Sequence, residues 1–243
     1  MSNNSFSGHR APVSLLVFTL LFPLAQAVLY FIVMADADPL YQKAAYMLTK
    51  GAMLVLPFFY MAIIAKAPWR VRPFSTRGLL EGSLFGIGGV VLGLLVYFFF
   101  LKPAGLLGEG TAPAIAITRK MEAFGLTGIV PFIVFAAFLS FMHSGLEEYY
   151  WRWFAFGELK KIMSTTSAII ICGFGFMLHH VVILGVFFGF ERPETWLFSL
   201  AIALGGMYWC WLYERKDSIY APWLSHGFID LGIFIIAYDM LYR

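Results

Sequence analysis

Seven runs of about twenty apolar residues constrain this chain more than any other feature, because roughly that length of helix, at about 1.5 Å per residue, crosses a bilayer core. They cover residues 12–34, 44–65, 79–101, 128–156, 167–188, 195–213 and 219–238. A backbone in lipid must satisfy its own hydrogen bonds, so such runs form helices. Their unbroken length excludes an outer-membrane barrel, whose strands alternate over about 10 residues. Composition agrees, with only 13% of residues charged against about 25% in ordinary soluble domains. The expected fold is an all-α, polytopic transmembrane helical bundle, a single integral membrane domain over residues 1–243. The count is seven spans, or eight if the mixed, glycine-containing segment 102–127 holds a half-inserted helix around residues 113–117.

The apolar run 13–34 is longer than the 7–15 residues of a signal-peptide core, so it is read as a retained first span. The last five residues lack a prenylation signal, and Ser2 stands where myristoylation needs glycine. Lysine and arginine bias sets the orientation. With the N-terminus cytoplasmic, that side collects nine basic residues, Arg10, Lys66, Arg70, Arg72, Arg77, Lys160, Lys161, Arg215 and Lys216. The opposite side, with the C-terminus outside, collects six: Lys43, Lys102, Arg119, Lys120, Arg192 and Arg243. The location expected is the cell (plasma) membrane, with the basic cytoplasmic loops against anionic lipid. A scattered net charge of +3 gives no nucleic-acid partner. No feature encodes an oligomeric state.

Smaller features read as structure. Cys172 and Cys210 lie inside apolar runs and are expected as small buried hydrophobes. Gly82, Gly86, Gly89 and Gly93 form a small-residue stripe for helix contact. Trp69, Trp151, Trp153, Trp211 and Trp223 fall near span ends, as interfacial aromatics do. Lys50, about six residues into the second run, is expected to snorkel to the outer interface.

The fourth run is different. It carries Glu147, Glu148 and Arg152 after a charge-free stretch from residue 129 to 142. Ionisable groups at such depth are costly and mark functional sites by default. Helical spacing puts Ser140, His143 and Glu147 on one stripe and Ser144, Glu148 and Arg152 on another, about 100° away. Glu148 and Arg152, four apart, are expected to form a structural ion pair. Glu147 is left beside His143 without a cation on its own helix, which suits a general base.

Two other runs bring polar groups to the same layer. The fifth carries His179 and His180; the seventh carries His226 and Asp230, one turn apart. At about 1.5 Å per residue, Glu147 and Asp230 lie roughly 16 Å in from the cytoplasmic loops, His226 roughly 10 Å and His180 roughly 20 Å. His179 points about 100° from His180 and is expected to serve in helix contact.

Taken in order, Glu147-Glu148-x-x-x-Arg152, Phe176-x-x-x-His180 and His226-x-x-x-Asp230 resemble the three-motif signature of the CPBP family, the CAAX-protease and bacteriocin-processing proteins related to type II CAAX prenyl endopeptidases. The resemblance covers residues 128–238 as a catalytic core. It implies an intramembrane endopeptidase, glutamate- or metal-dependent, acting on a membrane-associated peptide or lipid-modified protein substrate, prenylated or leader-bearing. It further implies Glu147 as activator of the attacking water and His180 as its holder. His226 and position 230 are implied to stabilise the oxyanion, and Glu148 and Arg152 to fix the helix. The best-studied CAAX enzymes carry asparagine where this chain has Asp230. An ionised aspartate would repel an oxyanion, so Asp230 must hold a proton, orient His226 or bind a cation.

A metal reading stays open beside the glutamate one. Zinc takes three protein ligands and a water in catalytic sites, and Glu147, His180 and His226 offer the right types, with Asp230 behind them. No H-E-x-x-H is present, and Ser144-Gly145 lacks the G-x-S-x-G elbow of serine hydrolases. Two other functions compete: a non-hydrolytic immunity or interaction protein, and a transporter or proton relay, against which the lack of an inverted repeat argues.

Overall fold

The computed structural model describes residues 11–66 and 74–243; Arg10, Trp69, Arg70 and Arg72 lie outside them. The described residues form eight helices and no strand. Seven are long and apolar enough to span a membrane: α1 (Val13–Val33), α2 (Pro39–Ile64), α3 (Leu79–Leu101), α5 (Ile129–Leu159), α6 (Thr165–Phe188), α7 (Pro193–Lys216) and α8 (Tyr220–Tyr242). Between α3 and α5 lies α4 (Ala112–Phe124), with Pro113 in its first turn and Gly125 closing it at φ 72°. At 13 residues, α4 is too short to cross a bilayer core of about 30 Å.

Helix starts follow capping chemistry more closely than apolarity. Asp38 accepts from the Leu40 N–H at 2.8 Å and Pro39 occupies the first turn, so α2 begins five residues before its apolar run. Ser164 accepts from the Ser167 N–H at 3.1 Å and starts α6. Several spans contain wide, i→i+5 turns; α5 has two, Leu139–His143 and Tyr149–Phe156.

Three helix pairs organise the bundle: α3 along α8, α6 along α7, and α1 along α6. The glycine stripe explains the first. A methyl added at Gly82 would sit 2.4 Å from the Ala221 carbonyl oxygen, and one at Gly86 2.7 Å from that of Ser225. The backbones meet there directly, and that contact sets the register of α8, which carries His226 and Asp230. Gly93 has open space around it. Gly86→Val is therefore expected to destabilise by about 1–3 kcal/mol through overpacking, while Gly93→Val stays within about 0.5 kcal/mol. Unfolding in detergent, followed for both variants, checks this contrast.

The core lies where α5, α6 and α7 converge: Trp151, Phe156, Phe176, Trp209 and Tyr213 form one buried cluster, and Cys172 and Cys210 are free thiols within this layer. Large apolar side chains such as Leu84, Leu92 and Phe99 on α3, and Leu48 and Val55 on α2, point outward, as a lipid-facing surface requires. Polar ties close both ends. Lys216 pairs with Glu81 and Lys160 with Glu214 at one end. At the other, Asp239 takes the Tyr97 hydroxyl at 2.7 Å and pairs with Lys102, while Lys120 on α4 donates to Gln42 on α2 at 2.9 Å.

Candidate active site

Glu147 and Glu148 stand in the five-residue α-helical segment Ser144–Glu148, between the two wide-turn stretches of α5. Such turns occur disproportionately at functional sites. Adjacent residues of an α-helix diverge by about 100°, so the two carboxylates leave the helix in different directions and meet different partners.

Glu148 is completely buried. Its Oε2 lies 3.1 Å from Arg152 Nε, and its Oε1 lies 2.8 Å from His226 Nδ1. The Arg152 contact is an ion pair by distance, without the alignment of a hydrogen bond. The guanidinium is held instead between aromatic faces, 4.7 Å from the centre of Phe176 and 5.0 Å from that of Trp209. In a dry core such cation–π contacts reach about 2 kcal/mol.

Glu147, 3% exposed, sits inside a ring of nitrogens. His143 Nε2 is 3.1 Å from its Oε1, Lys50 Nζ 3.3 Å and His179 Nε2 3.7 Å, while His226 Nε2 is 4.0 Å from its Oε2. These groups come from α2, α5, α6 and α8. His226 bridges the two acids, with Nδ1 against Glu148 and Nε2 toward Glu147, and the same Nε2 lies 3.7 Å from Asp230 Oδ1. Its ring stacks on Trp209 at 4.4 Å, and Trp209 Nε1 donates to Ser225 Oγ at 3.0 Å, which fixes the platform.

His180 Nδ1 lies 2.9 Å from the Phe176 carbonyl oxygen. A carbonyl only accepts, so Nδ1 carries the hydrogen and the neutral ring keeps Nε2 as an acceptor. His179 is buried with its ring parallel to Trp151, and it approaches Glu147 as well. The stack on Trp151 is the packing role open to His179, and its Nε2 lies 3.7 Å from Glu147 Oε1 besides, so both histidines of α6 reach the carboxylate layer. The hydroxyl of Ser144 donates to the Ser140 carbonyl oxygen of its own helix at 2.6 Å, an arrangement unlike that of a serine nucleophile.

With this geometry in view, the comparison with known families is specific. Residues 129–232 match the family model of the Type II CAAX prenyl endopeptidase Rce1-like proteins. This stretch is an Rce1-like domain. It runs from the first residue of α5 into α8 and contains Glu147, Glu148, Arg152, His179, His180, His226 and Asp230, while α1 to α4 lie outside it. An Rce1-like domain supports intramembrane endopeptidase activity in general. No curated protein and no solved structure matches the chain.

Within the Rce1-like domain, Glu147, His179 and His180 bring ligand atoms within 4.8 Å of one another. The metal reading offered Glu147, His180 and His226 as ligands; the donors that lie together are Glu147, His179 and His180, while His226 turns its Nδ1 to Glu148. By type these donors suit zinc. The charge beside them does not. Lys50 Nζ is already 3.3 Å from Glu147 Oε1, and a dication about 5 Å from that ammonium meets a repulsion of about 7 kcal/mol at an effective dielectric of about 20.

Sequence reasoning missed Lys50 as a site residue. Measured from Pro39 rather than from the apolar run, it stands near the middle of α2, and its side chain turns inward to Glu147 instead of outward to the interface. The signal was present. A lysine inside a span, with no acid one turn away on its own helix, implies a partner on another.

Proposed function

We propose that this chain hydrolyses a peptide bond in a membrane-associated substrate, either a prenylated or a leader-bearing protein, using water activated by Glu147. The observation that carries the reading is the Glu147 carboxylate itself, buried in a layer of three histidines and a lysine contributed by four helices. Glu147 takes a proton from water as the oxygen attacks the scissile carbonyl, and returns it to the leaving amine. His180, with Nδ1–H held by the Phe176 carbonyl, presents Nε2 to orient that water. A proton on each nitrogen of His226 lets Nδ1 donate to Glu148 while Nε2 donates to the developing oxyanion. Of the three roles open to Asp230, orienting His226 agrees with their 3.7 Å separation. Glu148 and Arg152 act through position, by holding His226 and the helix.

The polypeptide would lie in the cell membrane with its N-terminus cytoplasmic and its C-terminus outside, so that Lys160, Lys161, Arg215 and Lys216 face the anionic leaflet. The site then opens toward the cytoplasmic half.

The substrate range is tested with purified protein in liposomes, offered prenylated, leader-type and unmodified peptides, with fragments read by mass spectrometry. One bond cut in a membrane-anchored peptide, at least about 10-fold faster than in its unanchored counterpart, is the expected result. Cleavage of none, with a cellular effect that survives Glu147→Ala and His180→Ala, would point instead to the non-hydrolytic immunity or interaction role.

A further inference from the structure

Lys50 is the one lysine whose ammonium reaches the carboxylate layer among the described residues, and it stands outside the Rce1-like stretch. Three carboxylates, Glu147, Glu148 and Asp230, are gathered there. Among the described residues, two basic side chains are paired with them: Arg152, beside Glu148, and Lys50, beside Glu147. Met53, one turn on from Lys50, puts its sulfur 3.8 Å from Nζ and is itself fully buried, so the ammonium is packed in place. His179 approaches the same Oε1 at 3.7 Å, and Glu147, His179 and His180 make the donor cluster described above.

We propose that Lys50 is the resident cation of this site: its ammonium positions the Glu147 carboxylate and keeps a divalent metal ion off the Glu147, His179 and His180 donors. It fixes the oxygen that faces α2 and leaves the other free toward His226 and a water. Its role in hydrolysis is positioning, through Glu147. That part rests on the peptidase reading; exclusion of the metal does not.

The experiment uses the full-length protein in detergent, as wild type, Lys50→Met, Lys50→Gln and Lys50→Arg, with a Lys50→Met/His180→Ala double variant. Each is incubated with zinc and desalted, and bound zinc is measured by elemental analysis. Wild type and Lys50→Arg are expected to retain little zinc. Lys50→Met and Lys50→Gln should each retain about one ion per chain, and the double variant should lose it. Lys50→Gln keeps the test decisive if the methionine variant fails to fold. In liposomes, Lys50→Met is expected to lower kcat about 10-fold or more with KM changed less than about 2-fold, because a displaced base affects chemistry rather than binding. Lys50→Arg should recover most of that loss. Wild-type protein that retains one zinc dependent on Glu147 and His180, or Lys50 variants that take up no more zinc than wild type, would overturn the proposal. The zinc result stands even if no peptide is cleaved, so a failed peptidase reading and a failed cation assignment give different outcomes.

Discussion

Glu147→Gln is expected to lower kcat/KM for peptide cleavage by about 10³-fold, with KM nearly unchanged. The substitution keeps the shape of the side chain and removes its capacity to take a proton from water. General-base contributions fall between about 10² and 10⁴, and in the proposed mechanism the water that His180 orients would retain little reactivity without the base. Glu147 is also the group on which Lys50, His143, His179 and His226 converge, so the amide changes the charge at the centre of the cluster while leaving each helix in place. Steady-state kinetics in liposomes, with melting curves to show that the variant is folded, read both parts. Glu147→Asp is informative beside it. A carboxylate shortened by one methylene remains a base but moves away from the water, and an intermediate loss of about 10²-fold is expected.

Arg152→Met should be the most destabilising single substitution in the bundle, at about 3–5 kcal/mol, because it leaves Glu148 buried without its cation. Glu148 has no exposed surface and His226 as its other partner, so no solvent reaches it to replace the guanidinium. The loss includes two aromatic faces, Phe176 and Trp209, that now hold Arg152. A double variant, Arg152→Met with Glu148→Leu, should recover much of the stability, since removing both charges removes the desolvation cost with them. It should not recover activity, because Glu148 also holds His226 Nδ1. Unfolding in detergent for the two single variants and the double measures the coupling directly.

Much of the fold was legible because lipid forces it: apolar length alone marks the seven spans that the structure contains. The segment 102–127, open to two readings, holds the short helix α4, whose start is set by a turn-closing proline and whose end is set by a left-handed glycine. Span starts at Pro39 and Pro193 were misjudged by a few residues, since hydropathy does not register caps. At the site, spacing along α5 was informative because Ser144–Glu148 and its flanks keep the one-turn contacts of His143 with Glu147 and Glu148 with Arg152. Contacts between helices were not legible in that way. Which of His179 and His180 faces Glu147 depends on the rotation of α6, and both do. The bond from His226 Nδ1 to Glu148 depends on how closely the glycine stripe draws α8 toward α3 and on the approach of Gly227 to the Ser140 carbonyl oxygen. Lys50 was misread because its depth was counted from the apolar run rather than from the capped start of α2.

If Glu147 activates water to hydrolyse a peptide bond within the membrane, one oxygen of the new carboxylate comes from solvent. Mass spectrometry of products formed in liposomes in heavy-oxygen water, wild type beside Glu147→Gln, tests it most directly. One heavy oxygen in the new carboxylate of the wild-type fragment, and almost no fragment from the variant, is the expected result. Equal amounts of labelled fragment from both proteins would contradict it.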